Sequence, residues 1–300
     1  MRDIIVAIKK YGWAEPFRLV KHNWKKPDWW KWALFSMISP LIYKNNTGSY
    51  ILEEEWDNLI ILDACRFDLF EREIGNWNIK GKLEYRISRG ANTGYFLREN
   101  FERNEFKPIL KEIVYVTANP LVNRYLGDKL YKVISVWKFG WNEELGTVPP
   151  EIVYEAALHA IRKNSGKRFI IHFIQPHEPH IISDSKAIHA FDLLKEGKIS
   201  RDEAFRSYRQ NLRIVMPYVE KLCKIVPGRT VITSDHGEGA GERVHPLIPL
   251  YIYGHFCPGN PRIECLTKVP WFICEEEGSL DKVEREIIKL QLRKLRKLKI

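Results

Sequence analysis

Six short apolar runs, each cut off by polar residues and separated by longer amphipathic stretches, restrict this chain more than any other feature. They are Asn58–Leu62, Ile113–Val116, Val133–Val136, Phe169–Ile174, Thr230–Thr233 and Leu250–Tyr253. Runs this short read as strands, while Thr93–Phe101, Pro150–Lys163 and Arg201–Ile225 carry the spacing of helices. The pair Pro149-Pro150 suits a helix start, with proline in the first turn where its missing N–H costs nothing. Strand and helix in alternation predict an α/β fold with a mainly parallel sheet. A chain of 300 residues that is 45% hydrophobic has enough apolar surface for one sizeable core. No internal repeat or low-complexity segment interrupts it.

Charge divides the chain into three parts. The net charge is +10, which by itself suggests nucleic acid. Residues 1–43, however, hold eight Lys/Arg against three Asp/Glu, and residues 281–300 hold the same numbers. The body, residues 44–280, has 32 of each and is neutral. A neutral body without a helix-turn-helix, RNA-recognition or zinc-finger signature argues against nucleic acid as partner. The N-terminal arm contains five of the ten tryptophans, Trp13, Trp24, Trp29, Trp30 and Trp32, among its lysines. Such a segment either lies at a membrane interface or forms a helical arm on the body. Its uncharged run, Trp32 to Tyr43, is too short for the roughly 20 residues of a spanning helix, and it has no signal-peptide pattern. At 100° per residue from Val283, the apolar Ile287, Ile288, Leu290, Leu292, Leu295 and Leu298 fall between about −20° and 180°. Lys282, Arg285, Lys289, Arg293, Arg296 and Lys297 take the other side, and Lys294 and Lys299 break the pattern. The C-terminus is therefore a basic amphipathic helix, suited to an anionic membrane, a partner, or a solvated cap. Both ends are expected to make peripheral membrane contact, at the inner face of a cytoplasmic membrane. Five cysteines, an odd number without a CxxC pair, argue against a disulfide scaffold and favour a reducing compartment.

Ligands in open α/β sheets bind beyond the carboxyl ends of the strands, so the residues that follow each run matter most. Asn58–Leu62 is followed by Asp63 and then Ala64-Cys65-Arg66-Phe67-Asp68. Thr230–Thr233 is followed by Ser234-Asp235-His236-Gly237-Glu238. Phe169–Ile174 leads into Gln175-Pro176-His177-Glu178-Pro179-His180. Three strand ends thus bring carboxylates and imidazoles to one edge, a donor set suited to a divalent cation. Singly, each Asp is as well explained by a helix N-cap and each His by a packed side chain. His172, alternating with Phe169, Ile171 and Phe173, reads as a core histidine.

These residues resemble the alkaline phosphatase superfamily, and its sulfatase-like branch in particular, which includes lipid phosphoethanolamine and phosphoglycerol transferases. Asp63–Asp68, Asn92-Thr93-Gly94, Val116–Pro120, Trp141–Pro150 and Gln175–His180 look like a group of archaeal sulfatase-like proteins. The resemblance spans roughly residues 55–254. It implies a three-layer α/β/α fold, alkaline-phosphatase-like, around the parallel sheet. It also implies that Asp63, Asp235 and His236 hold one metal, together with the nucleophile Thr93, with His177 and His245 as further ligands. Zinc or manganese fits this set best, magnesium or calcium less well, as one ion or two. The Asp-x-x-x-His segment of two-metal phosphatases is missing, which leaves the second ion open.

Physical reasoning favours the same nucleophile. A threonine hydroxyl needs a lowered pKa to attack, and Thr93 begins a predicted helix whose amides can hold phosphoryl oxygens. Ser88 is the competing hydroxyl. Asn92, His177 and His180 are expected to bind substrate, and His245, His180 and Arg66 to face the leaving group. Arg66 has the alternative of pairing with Asp68 or Glu71, and His245 of being a surface-loop residue. Glu238 and Glu242 either orient histidines or are solvated. Sulfatases build their nucleophile in a Cys/Ser-x-Pro-x-Arg segment, which this chain lacks. The expected activity is hydrolysis or transfer of a phosphoric ester through phosphothreonine, with lipid-linked esters as the substrate class. Sulfuric-ester hydrolysis, or a catalytically silent scaffold at a membrane, are the alternatives.

Overall fold

The computed structural model describes residues 25, 27–43, 45–255 and 259–297, without the side chains of residues 27, 28, 40 and 297. Trp13, Trp24, Leu298 and Lys299 lie outside the described residues. The strands are β1 (Asn58–Leu62), β2 (Gly81–Ile87), β3 (Ile113–Thr117), β4 (Lys132–Ser135), β5 (Arg168–Phe173), β6 (His180–Ser183), β7 (Lys186–Ile188), β8 (Thr230–Thr233), β9 (Gly239–His245), β10 (Ile248–Gly254) and β11 (Lys268–Cys274). Among the described residues the helices of eight residues or more are α1 (Pro27–Ile42), α2 (Phe67–Ile74), α3 (Thr93–Phe101), α4 (Pro150–Lys163), α5 (Arg201–Ile225) and α6 (Leu280–Lys297).

Seven strands form one sheet in the order β2-β11-β8-β1-β5-β3-β4. The five from β8 to β4 run parallel, and β11 is antiparallel to both β8 and β2. The expected mainly parallel α/β sheet is therefore present. Side chains alternate across a strand, and here the alternation feeds two cores. Ile60 and Leu62 of β1, with Phe169, Ile171 and Phe173 of β5, pack beneath α4, α5 and the buried Val283 and Ile287 of α6. Leu59 and Ile61, with Ile170 and Tyr115, pack beneath Phe96, Leu97 and Phe101 of α3. Helices on both faces make three layers.

Two sheet strands escape a reading by apolar runs. Strand β2, Gly81-Lys82-Leu83-Glu84-Tyr85-Arg86-Ile87, lies at the edge and is only half-buried, so its sequence stays polar. Strand β11 contains Pro270, which argues against a strand when context is unknown. The run Leu250–Tyr253 is a strand, but it pairs with β9 in a separate hairpin and not in the central sheet.

Both ends of the described chain lie on the body. Phe35 and Ser39 of α1 are buried, and Phe35 packs with Ala91, Val244, Leu250, Ile252 and Leu266. On its opposite face Trp30, Leu34, Met37 and Leu41, spaced four, three and four apart, are 47, 60, 63 and 79% exposed. Helix α6 divides what reads as one broad apolar side. An arc of about 200° is wider than a single docking stripe. Val283 and Ile287 are buried, whereas Ile288, Leu292 and Leu295 are exposed. Truncating Ile287 to alanine should therefore cost about 2–4 kcal/mol in urea denaturation, while Ile288→Ala should stay within about 0.5 kcal/mol.

Candidate metal centre and active site

Strand β1 ends in a turn that throws Asp63 inward. Ala64 takes φ 57°, a left-handed conformation that is unfavourable for a residue with a Cβ. Four contacts hold it there. Ala64 N–H donates to Asp235 Oδ1 at 3.1 Å, Cys65 N–H to Ser234 Oγ at 2.8 Å and Arg66 N–H to Tyr208 Oη at 3.0 Å, while Tyr208 donates its own hydroxyl to the Ala64 carbonyl. Backbone strain at a strand end persists only when its surroundings impose it in this way. After β8, Gly237 lies so close to the Cys265 carbonyl that a Cβ would sit 2.1 Å from it. Only glycine can follow His236 there.

Asp63, His172 and Asp235, all fully buried, each offer a ligand atom within 4.8 Å of the others. The alternation of the sheet explains why. Leu59, Ile61 and Asp63 share one face with Val231, Thr233 and Asp235, and His172 pairs with Ile61 in register. His236 and Thr93 complete the cluster. Nε2 of His236 is 3.6 Å from Asp63 Oδ1, 3.4 Å from Asp235 Oδ2 and 3.3 Å from Thr93 Oγ1. Its Nδ1 is 2.7 Å from the Gly237 carbonyl, to which it can only donate. That leaves the Nε2 lone pair of neutral His236 turned toward the two carboxylates. Burial lowers the pKa of this histidine, in spite of Asp235 and Asp63 beside it.

Asn119 is oriented with equal clarity. Its N–H donates to Thr117 Oγ1 at 2.9 Å, and its Oδ1 accepts from Leu121 N–H at 2.9 Å. The amide nitrogen must then face inward, where it stands 2.7 Å from Asp63 Oδ2 and 3.4 Å from Thr93 Oγ1. His172 bridges Tyr115, 3.0 Å from Nδ1, and Asp63 Oδ2, 3.2 Å from Nε2. Burial pushes the Asp63 pKa up, but the imidazoles of His172, His177 and His236 around it prevail and hold it well below the usual carboxylate range.

Asp63 Oδ1 and Asp235 Oδ2 remain buried without a hydrogen-bond partner among the described residues. Unpaired buried acceptors are rare and costly. Two carboxylate oxygens turned toward one imidazole lone pair are the donor set that a divalent cation would satisfy. The residues therefore fit a metal ion, which Asp63, Asp235, His236 or His172 would hold.

The structure brings together Asp63, Thr93, Asp235, His236 and His177, whose N–H donates to the Asp63 carbonyl at 3.1 Å. Burial lowers the pKa of His177, yet Asp63, Glu238, the Glu178 carbonyl and Asp235 outweigh it and raise the value. Four other expected residues are placed differently. Asn92 caps α3, its Oδ1 accepting from Tyr95 N–H at 3.0 Å. Arg66 is spent on Asp68 at 2.8 Å, Glu242 at 2.6 Å and the Glu238 carbonyl at 3.1 Å, so the ion-pair alternative describes it. His180 is buried and stacked on Tyr208 with Nδ1 3.0 Å from Ser207 Oγ, and burial pushes its pKa down to about 3. His245 ends β9 at the hairpin tip, about 20 Å along the strand from Gly239 at the site. Ser88, the rival nucleophile, donates to the Asp235 carbonyl.

His255 stands where His245 was expected. Its ring centroid lies 4.3 Å from that of His236 and 4.8 Å from that of His177, and its Nδ1 is 3.0 Å from Glu238. Burial raises the Glu238 pKa to about 7. Of the residues that strand-end reasoning passes over, Asn119 lies two residues beyond β3 and was within its reach. His172 lies inside a strand, and His255 follows a strand outside the sheet.

No family model matches the chain, and no curated protein matches it. Among solved structures it is similar to the soluble domain of lipooligosaccharide phosphoethanolamine transferase A from Neisseria meningitidis, at 14% identity and TM-score 0.43, over 72% of this chain and 75% of that one. A protein in the alkaline phosphatase superfamily from Vibrio parahaemolyticus matches at 13% and 0.42, over 85% and 70%. A lipoteichoic acid synthase from Listeria monocytogenes matches at 13% and 0.41, over 81% and 73%.

Zinc or manganese at 100 times its Kd should stabilise the chain by about 2.7 kcal/mol, read as a rise in the unfolding midpoint. Asp235→Asn keeps an acceptor for the Ala64 and His236 amides and should abolish that rise. A wild-type midpoint that ignores both ions would refute the centre.

Proposed function

We propose that this chain is a metal-dependent phosphoric-ester hydrolase or phosphotransferase of the alkaline phosphatase superfamily, with Thr93 as its nucleophile. The observation that supports this most is the convergence of unpartnered Asp63 Oδ1 and Asp235 Oδ2 on His236 Nε2, with Thr93 Oγ1 at 3.3 Å. In this reading Asp63, Asp235, His236 and Thr93 hold a divalent cation, zinc or manganese. When bound, the ion supplies Lewis acidity and favours the ionised form of a hydroxyl.

The chain's own residues do the rest. Thr93 Oγ1 attacks phosphorus and the ester oxygen leaves with its alcohol. Water or a second alcohol then attacks phosphothreonine, and the choice of acceptor separates hydrolysis from transfer. The first-turn amides of α3, apart from that of Tyr95, which Asn92 caps, would face the phosphoryl oxygens, and Asn119 Nδ2 would donate to one of them. His177, whose pKa the neighbouring carboxylates raise in spite of burial, is proposed to act on the substrate from the side of Asp63 and Glu238. A dianionic phosphoryl group gains more from such a site than a sulfuryl monoanion does.

The substrate class is proposed to be lipid-linked. Among the described residues no helix is long and apolar enough to cross a membrane. The exposed stripe Trp30-Leu34-Met37-Leu41 of α1 lies on a segment with a net charge of +5, a combination suited to an anionic lipid surface. Because Phe35 packs against Ala91, two residues before Thr93, the stripe would place the site near headgroups.

A panel of phosphomonoesters, phosphodiesters and sulfate esters, assayed with Mn²⁺ or Zn²⁺, tests the chemistry. Thr93→Ala should lose at least about a thousandfold in kcat/KM. Undiminished activity would remove Thr93 from its role, and a preference for sulfate esters would replace the reaction. For the surface, Leu34→Glu with Met37→Glu should reduce sedimentation with anionic vesicles and leave turnover of a soluble ester intact. Unchanged sedimentation would refute lipid docking by α1.

A further inference from the structure

We propose that Cys223 and Cys274 form an intramolecular disulfide that staples the end of α5 to the end of β11. The two residues are 51 apart in the chain, and their sulfurs stand 2.7 Å from each other. Both are free thiols in this structure, and the short gap between their sulfurs leaves only a small side-chain movement to the roughly 2.05 Å of a disulfide. A covalent pair is what the surroundings accommodate.

Both side chains are buried, at 0 and 7% exposure, in the larger apolar core. Among the described residues no carboxylate, imidazole or hydroxyl is hydrogen-bonded to either sulfur, and each faces the other. The backbone already holds the two elements together around them. Gly278 N–H donates to the Val226 carbonyl at 2.9 Å, and Ser279 N–H to the Ile225 carbonyl at 3.0 Å. Helix α6 then seals the place with Val283, fully buried in the same core. The spacing of the cysteines conceals this pair, because α5 and β11 become neighbours only when β8 and the β9–β10 hairpin have folded between them.

The bond forms by exchange with a low-molecular-weight disulfide. One cysteine thiolate attacks it and expels one thiol. The second cysteine then attacks the mixed disulfide and expels the other, so two cysteines are oxidised and two thiols of oxidant are released. Burial raises the pKa of Cys223 well above its usual value, so the exchange belongs to the folding chain and the finished bond is shielded from reductants. The stapled segment includes Asp235, His236, Glu238 and His255. Its two ends are fixed, and the site they support gains stability without any contact between the sulfurs and the ligands.

The test is synthesis of the full chain by cell-free translation in equimolar oxidised and reduced glutathione, so that oxidant is present during folding. The soluble protein is denatured with iodoacetamide and mapped by mass spectrometry. The expected result is alkylation of Cys65, Cys257 and Cys265, with Cys223 and Cys274 recovered as one linked peptide pair that dithiothreitol separates. Protein made under reducing conditions should unfold about 5–10 °C lower. Alkylation of both Cys223 and Cys274 in most molecules overturns the proposal. So do links that join either of them to Cys65, Cys257 or Cys265.

Discussion

Two carboxylates buried side by side, Asp63 and Asp235, set the terms for everything around them. In a medium of low polarity their mutual repulsion is far stronger than in water, and among the described residues neither is paired with a lysine or arginine. The surrounding residues answer this charge piece by piece. Asp235 Oδ1 receives the amides of Ala64 and His236, Asp63 Oδ2 receives the Asn119 amide, and His172 and His177 stand beside Asp63. One oxygen of each remains without a hydrogen-bond partner among the described residues. The arginine nearest in sequence, Arg66, is turned away toward Asp68 and Glu242. A centre built this way leaves negative charge that its own side chains do not fully neutralise, which fits a cation.

The sheet makes that arrangement possible. Strand β1 lies between β5 and β8 and runs parallel to both. Residues of equal parity therefore emerge on the same face and at the same level. Asp63 and Asp235 leave their strands on the α3 face, His172 still belongs to its strand there, and α3 begins with Thr93 directly opposite. Glycine is needed where the backbone crowds this edge. At Gly90 a Cβ would approach Phe96 N to 2.2 Å, which lets the loop before α3 close tightly on its first turn.

Much of this was legible in the chain, and the reason is local. Asp63 follows its apolar run directly, Asp235 and His236 follow theirs within three residues, and Thr93 opens a helix whose bounds were readable. Their positions depend on where an element ends, which short-range pattern determines. The histidines were harder to read. His180 and His245 occur in polar segments like those of the site, but one turns under Tyr208 and the other rides to the tip of a hairpin. His172 looked like a core residue and is one, bonded to Tyr115, yet it also reaches Asp63. Polarity at a strand end says that a side chain is available, and not which way the following loop carries it.

The amino-acid sequence by itself determined the alternation of strands and helices, the neutral body between basic ends, and the carboxylates and threonine at the edges of elements. These follow from periodicity and from the residue that terminates each run. Only the tertiary structure decided that His255 joins His236 and His177, that Asn119 turns its amide inward, and that α6 buries Val283 and Ile287 while exposing Ile288. Each of those outcomes rests on contacts between segments far apart in the chain, where packing selects one of several orientations that the local sequence allows equally.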